Sequence, residues 1–482
     1  MLLSLTMQGH GQITQAAFNG NGIDCRLTEG LLKVEFITPD IVRVQYTPEL
    51  AFCGNGTAVC VPRAPHTIRF THTENDTSYR LQSDSLTVVI DRQSGAVSYF
   101  SVDGTPLLQE DTARPRSYHP ADSIAHLWKY RMNFRLQSGE ALYGLGSHEQ
   151  AYMNLRGKTL YLCQHNLKIM IPVLNSTAGY GLLADAGCSM LFSDTDKETY
   201  LEMEAARQID YYFMKGETLD AVVANYRRLT GNVPMMPRYL FGYIQSKERY
   251  VSSDDLINTL KEYRNRRIPI DMIVQDWNYW RAGKWGDMSM DPQFYPDKKL
   301  LADEIHRLHA KLMISIWPNA QSSSQTDDFR SRGYLLPGNT SVYDAFNPLA
   351  RGLYWQYANN EFFRNGFDAW WCDSSEPIDA DWRFMPEDYT LDSHRQRWEL
   401  NTRALSDLLG AERSQLYSLY HAMGIYENQR ATNDAKRVVN LTRSSYAGQQ
   451  RYSTISWNGD VNATWKSFAQ MIPAGLNYMA TG

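Results

Sequence analysis

Gly366-Phe367-Asp368-Ala369-Trp370-Trp371-Cys372-Asp373-Ser374-Ser375-Glu376-Pro377 is the stretch from which the fold can be read. A short apolar, aromatic run stops at an acid, and two serines, a second acid and a proline follow. With period-two alternation, Ala369, Trp371 and Asp373 share one side of a strand, and Asp368, Trp370 and Cys372 share the other. Proline cannot continue a ladder, so the strand is expected to end near Ser374. A carboxylate then stands at the C-terminal end of a strand, backed by a tryptophan two residues earlier. In a barrel of parallel strands, that end carries the catalytic groups. Taken alone, Asp373 reads equally well as a cap on a strand-to-helix turn, and the rest of the chain decides between the two.

Working outward, the same strand pattern recurs at 240–245, 271–276, 312–317, 415–420 and 438–442, as well as 367–373 itself. Helical periodicity lies between most of these runs, clearest at 253–264, 298–309 and 395–409. Such alternation calls for a parallel sheet. Several runs end in a polar group or a tryptophan: Gln245, Asp276, Trp317, Asp373, His421 and Arg443. That convergence suits a barrel mouth, and no GxGxxG follows any of the strands, so a dinucleotide fold lacks its fingerprint.

Upstream, from about residue 20 to 215, short alternating runs such as 32–37, 85–90 and 180–185 are split by turn residues, the pattern of an antiparallel β-sandwich. The glycine-rich segment 142–148, with Asn154-Leu155-Arg156-Gly157-Lys158 after it, reads as a turn, the alternative being a loop that reaches toward a neighbouring site. A helix is expected over 218–229, capped by Thr218. The two prolines within 231–237 mark the domain boundary. The expected organisation is therefore a β-sandwich domain with a short helical linker over 1–235 and a (β/α) barrel over 236–482.

Composition bounds the function. The 482 residues are 43% hydrophobic and carry a formal net charge of −5, which gives no reason to expect nucleic acid or an anionic membrane as partner. No run of 18 apolar residues exists, so no membrane span is expected. The 30 Tyr, 17 Phe and 12 Trp often stand beside Asp, Asn or Gly, a mixture that lines carbohydrate sites, although most of these rings are expected to fill cores. The six cysteines show no CxxC pair and are expected to be free thiols. No HxH or clustered ligand spacing is present, so neither a metal nor another cofactor is expected. The first twelve residues have an apolar patch but no basic stretch and no clear cleavage site, which leaves a periplasmic, secreted or cytoplasmic location undecided.

A second acid motif lies downstream at Ser456-Trp457-Asn458-Gly459-Asp460, introduced by Leu441-Thr442-Arg443-Ser444-Ser445. Two carboxylates facing each other across a pocket are what glycoside cleavage needs, one to attack or stabilise the anomeric carbon and one to protonate the departing oxygen. Arg443 is suited to hold the first of them anionic.

The ordered segments Tyr143-Gly144-Leu145-Gly146, Asn154-Leu155-Arg156-Gly157-Lys158, Gln245-Ser246-Lys247-Glu248-Arg249-Tyr250, Gln275-Asp276-Trp277, Trp371-Cys372-Asp373-Ser374-Ser375-Glu376-Pro377, Tyr426-Glu427-Asn428-Gln429-Arg430 and Leu441-Thr442-Arg443-Ser444 resemble glycoside hydrolase family 31. The resemblance runs from about residue 140 to the end. It implies an α-glucosidase or α-xylosidase that retains configuration, with an oligosaccharide as substrate. By the same resemblance Asp373 is the nucleophile and Asp460 the general acid/base. Asp276 and Arg443 would hold sugar hydroxyls, Trp317 and Trp371 would form apolar walls, and Trp457 would join them in binding. Glu376, three residues from Asp373 on a turning loop, is cast as support rather than as a partner across the scissile bond.

Two departures stand out. The maltose-type pattern Asp-Met-Asn-Glu-Pro is here Asp373-Ser374-Ser375-Glu376-Pro377, which looks closer to bacterial α-xylosidases. Val461 stands where the acid/base motif commonly has Asn. The α-xylosidase reading is therefore placed ahead of α-glucosidase or α-transglucosidase, and an inactive carbohydrate-binding remnant is the reading from another class. Six barrel strands are expected before a helix at 465–476 and the end of the chain, whereas family members continue through two more strands. The expectation is a truncated (β/α)8 barrel with open edges at the first and sixth strands. A polypeptide of these 482 residues alone is expected to show low solubility and little or no activity. Soluble purified protein releasing sugar at a normal enzymatic rate would overturn that expectation.

Overall fold

The computed structural model describes residues 7–8, 11–54, 58–64, 67–122, 125–378 and 390–482. Its N-terminal half is built from two antiparallel sheets, one of 11 strands and one of 8. The runs read at 32–37, 85–90 and 180–185 lie in the strands Leu31–Thr38, Leu86–Asp91 and Tyr180–Ala184. Along the first of these, Leu32, Val34 and Phe36 are buried while Lys33 and Glu35 are half-exposed, as period two requires. The two sheets share one apolar core. Within it Tyr99 stacks on Phe213 at 3.9 Å, and Tyr211 donates its hydroxyl hydrogen to Glu110, which pairs with the buried Arg116.

The segment read as a turn at 142–148 is instead a strand, Leu142–Ser147, paired with Ile169–Ser176. Its glycines serve a bulge. Gly146 has φ +103°, and a Cβ there would stand 2.0 Å from the Ile169 carbonyl oxygen. Gly and polar residues weaken a strand signal, but the same residues allow a close backbone approach.

The helix Leu219–Thr230 begins where expected, the Thr218 hydroxyl accepting from the Ala221 N–H at 3.2 Å. After it comes a parallel sheet of six strands among the described residues: Ile244–Gln245, Met272–Gln275, Lys311–Ile316, Ala369–Cys372, Asn440–Thr442 and Thr454–Ser456, in that spatial order. The helices Ser253–Asn265, Lys298–Arg307, Pro348–Glu361, Leu391–Leu409 and Tyr417–Thr432 lie between the strands, and Trp465–Ala480 follows the last one.

One expected strand is corrected. Residues 415–420 run into the start of the helix Tyr417–Thr432, and the sixth strand is Thr454–Ser456. That helix buries Tyr417, Ser418 and Leu419, then His421 and Ala422, then Gly424 and Ile425, so it shows no one-sided stripe that would separate it from a strand.

The strand Ala369–Cys372 alternates as read. Ala369 joins Met272, Val274, Met313, Val439 and Leu441 inside the curved sheet. Trp370 and Cys372 face outward into the layer shared with the helices. Asp368, at the strand's N-terminal side, pairs with His306 at 2.7 Å, Lys311 at 3.3 Å and Lys436 at 3.4 Å. Burial alone would raise its pKa, but the His306 hydrogen bond and the Lys436 charge hold it below the usual carboxylate range.

The helix Trp465–Ala480 ties the two halves together. Asn477 accepts from the Gly144 N–H at 2.7 Å and donates to the Tyr152 carbonyl at 2.8 Å. Among the described residues no helix is long and apolar enough to cross a membrane.

Trp370 is fully buried, edge-on to Trp355 at 5.6 Å, with its indole N–H on Gln429 Oε1 at 2.7 Å. Trp370→Ala is expected to cost about 3–5 kcal/mol, seen as a lower urea midpoint for the unfolding of the barrel half.

Candidate active site

Five strand ends of the parallel sheet deliver a chemically active side chain at the position just beyond the strand. Asp276 follows Met272–Gln275, Trp317 follows Lys311–Ile316, Asp373 follows Ala369–Cys372, Arg443 follows Asn440–Thr442, and Trp457 follows Thr454–Ser456. Parallel strands in register place these five ends side by side. All five side chains line one cavity of about 1640 Å³, together with Trp371 and Asp460. A volume of that size exceeds an ordinary small-molecule pocket and has room for more than one sugar ring.

Asp373 and Arg443 meet because Cys372 and Thr442 are register partners. Arg443 Nη1 lies 3.4 Å from Asp373 Oδ1, and its Nη2 pairs with Glu376 Oε1. Glu376 is buried below the cavity rather than opening onto it, and its other oxygen accepts from the Ser444 hydroxyl at 2.7 Å. The Ser444 N–H in turn donates to the Ser375 hydroxyl at 2.9 Å. The Asp373 carboxylate accepts from the Ser374 N–H at 2.7 Å and keeps 15% of its surface exposed. Burial pushes its pKa up to about 6, and the charges of Glu376 and Asp460 push the same way, while Arg443 and the Ser374 N–H oppose them.

Asp276 is raised to about 7, chiefly by burial, with the negative charges of Asp373, Asp460 and Glu248 adding to it and the Trp277 N–H opposing. The two acids flanking one strand thus have opposite characters. Asp368 is neutralised by cations at one end, while Asp373 is poised near neutrality at the other. Perturbed carboxyls gathered in a cleft mark it as a candidate functional site.

Aromatic rings form the remaining walls. Trp371 and Trp457 pack at 4.7 Å, and Trp317 is edge-on to Trp285 at 5.2 Å, which in turn lies 5.3 Å from Trp277. Trp277, Trp285, Lys247 and Glu248 line the cavity and were not singled out from the sequence as site residues. Lys247, Glu248 and Trp277 lie in strand-end segments, so their position beside Gln245 and Asp276 was the available signal. Trp285 sits ten residues beyond a strand, with no such signal.

Asp460 lies beyond the sixth strand, in the connection to the helix Trp465–Ala480. Its carboxylate accepts from the side-chain amide of Asn166, in the N-terminal sandwich, at 2.6 Å. The tip at 165–168 therefore reaches Asp460, while the segment 142–148 reaches the helix Trp465–Ala480 through Gly144.

Parallel strands alternating with helices, their C-terminal ends opening together onto one carboxylate-lined cavity, define a barrel-type enzyme. Residues 233–482 match the family model for the glycosyl hydrolases family 31 TIM-barrel domain, and residues 31–190 match the glycosyl hydrolase 31 N-terminal galactose mutarotase-like domain. The chain belongs to glycoside hydrolase family 31. It is 34% identical to an alpha-xylosidase of Saccharolobus solfataricus over 461 residues, covering 94% of this chain and 61% of that protein. A GH31 alpha-xylosidase from a soil metagenome, solved in complex with xylose, superposes with a TM-score of 0.85 at 26% identity, over 97% of this chain and 71% of that one. The GH31 alpha-xylosidase of Xanthomonas citri shares the fold with a TM-score of 0.86 at 24% identity, over 96% of this chain and 68% of that one. The chain thus spans roughly three-fifths of the Saccharolobus solfataricus relative's length.

Arg443 supplies the positive charge nearest Asp373. Arg443→Met is expected to raise the Asp373 pKa by roughly 1–3 pH units. The measurement is the pH midpoint of carbodiimide labelling at Asp373, followed by peptide mass spectrometry.

Proposed function

We propose that the protein is a retaining exo-α-glycosidase that removes terminal α-linked xylose from oligosaccharides, with Asp373 as nucleophile and Asp460 as general acid/base. The observation that carries this reading is the contrast between the two carboxyls that share the cavity. Asp373 sits against the Arg443 guanidinium, and Asp460, on the connection beyond the sixth strand, sits against a neutral amide. Two carboxyls in unlike surroundings are what a double displacement at an anomeric carbon requires.

In the first half-reaction an Asp373 oxygen bonds the anomeric carbon as the glycosidic C–O bond breaks, and Asp460 passes its proton to the departing oxygen. In the second, a water attacks the same carbon, gives a proton back to Asp460, and the ester bond to Asp373 breaks. Charge developing on the sugar ring in both steps is met by the Asp373 carboxylate. Asp276 and Arg443 are assigned to sugar hydroxyls, and Trp317, Trp371 and Trp457 to the ring's apolar faces. Glu376 orients Arg443 from beneath.

Similarity to the Saccharolobus solfataricus alpha-xylosidase supports xylose as the sugar. A cavity of about 1640 Å³ takes either sugar, so α-glucosidase or α-transglucosidase activity is the second reading. One such group changes binding by only roughly 1–3 kcal/mol, so cross-activity is expected.

Release of nitrophenol from α-xyloside and α-glucoside substrates, compared between the parent and Asp373→Ala, tests the assignment. The variant is expected to lose on the order of 10⁴-fold or more in kcat. Equal rates would remove Asp373 from the nucleophile role. An attacking carboxyl must be ionised, so kcat/KM is expected to fall as pH drops through about 6, the value to which Asp373 is raised. An acid limb near pH 4 would contradict it, because that is roughly where an ordinary carboxyl titrates.

A further inference from the structure

Hairpin tips ordinarily face water. The tip His165-Asn166-Leu167-Lys168 does not. It is closed by the Lys168 N–H on the His165 carbonyl at 3.0 Å and the His165 N–H on the Lys168 carbonyl at 3.3 Å. Yet His165 and Asn166 are 2% exposed and Lys168 is 3% exposed. A buried turn carrying three polar side chains costs desolvation that only specific partners offset.

The tip enters the barrel half and is anchored there. Gln164, directly before it, donates its N–H to Gln415 Oε1 at 2.6 Å and its side-chain amide to the Ser445 carbonyl at 2.7 Å, and the neighbouring Glu149 pairs with Arg397 of the helix Leu391–Leu409 at 2.7 Å. Leu167 holds φ +76°, a conformation that a branched side chain adopts only when its surroundings impose it.

What the tip delivers is one amide. Asn166 Nδ2 donates to Asp460 Oδ2 at 2.6 Å, and Asn166 Oδ1 accepts from the Asp460 backbone N–H at 3.0 Å. A single side chain therefore grips both the backbone and the carboxyl of Asp460. Gly459 makes the approach feasible: it has φ +78°, and a Cβ there would stand 2.4 Å from Asn166 Oδ1 and 2.6 Å from the Leu167 nitrogen. Val461, at the position where the acid/base motif commonly carries an amide, has none to offer.

We propose that Asn166, from the sandwich domain, is the positioning residue for Asp460, occupying Oδ2 as an acceptor so that the transferable proton rides on Oδ1 and points toward the scissile oxygen. The proposal rests on the reading of Asp460 as acid/base. The amide exchanges no proton in either step. It donates to Oδ2 throughout, while the proton leaves Oδ1 for the departing oxygen and returns to it from water. Donation to a carboxylate is strongest once the proton has left, so the contact tightens as the transition state is reached.

The test compares parent, Asp460→Ala, Asn166→Ala and Asn166→Asp on aryl α-xylosides with good (dinitrophenyl) and poor (phenyl) leaving groups. Asn166→Asp keeps an acceptor for the Asp460 N–H and replaces the donor with a second carboxylate, which repels the charge left on Asp460 after proton transfer, so it stays informative if Asn166→Ala folds badly. Acid assistance matters only for the poor leaving group. Asp460→Ala is therefore expected to lose roughly 10²–10⁴-fold in kcat/KM on the phenyl glycoside and far less on the dinitrophenyl one. Both Asn166 variants are expected to lose about 10–10²-fold on the phenyl glycoside, in kcat rather than KM, with a change under about threefold in kcat/KM for the dinitrophenyl one. An equal loss on both substrates, or no loss on either, overturns the proposal and leaves the tip a structural contact. Absence of leaving-group dependence in Asp460→Ala overturns the acid/base reading itself and the proposal with it.

Discussion

The site depends on one guanidinium. Arg443 stands between Asp373 at 3.4 Å and Glu376, both of which lie in a crowd of acids with Asp276 and Asp460. Glu376 is 1% exposed and Arg443 5% exposed, so neither charge has water enough to stand alone. Breaking a buried pair of this kind costs about 3–5 kcal/mol, because the orphaned charge stays behind in a poor solvent. The pair also fixes geometry. It ties the turn after Ala369–Cys372 to the turn after Asn440–Thr442, and the Ser375–Ser444 and Glu376–Ser444 hydrogen bonds close the same loop a second time.

Around that contact the charge is graded along one strand. Asp368, surrounded by His306, Lys311 and Lys436, is a settled anion just before the strand begins. Asp373, five residues further on, meets one cation and several acids, and burial raises it to about 6. The same residue type, buried at both ends, is held as an anion where cations outnumber it and raised where acids do. Asp276, raised to about 7, belongs to the second group.

The sandwich is more than a neighbour. Gly144 and Tyr152 bond Asn477 in the C-terminal helix, Glu149 pairs with Arg397, and Asn166 reaches Asp460. Four contacts to three different barrel elements keep the two halves in register at the cavity. Asp460 is delivered by the barrel but held by the other domain.

The strands at 271–276, 312–317 and 367–373 were legible in the sequence because apolar alternation ending in an acid or a tryptophan is a local signal, and so were Asp276, Trp317, Asp373 and Arg443 as strand-end groups. The helix Tyr417–Thr432 carries no helical stripe because it is buried on most sides, and the short strand Thr454–Ser456 carries no strand signal because three half-buried residues show no period. Local chemistry along the chain determined which residue types stand at the strand ends and hence the family the chain resembles. Only the tertiary structure decided which acids are ionised at one end of a strand and poised at the other, since desolvation and cation counts come from packing. It alone joined Asn166 to Asp460, 294 positions apart, a proximity that no periodicity in a chain encodes.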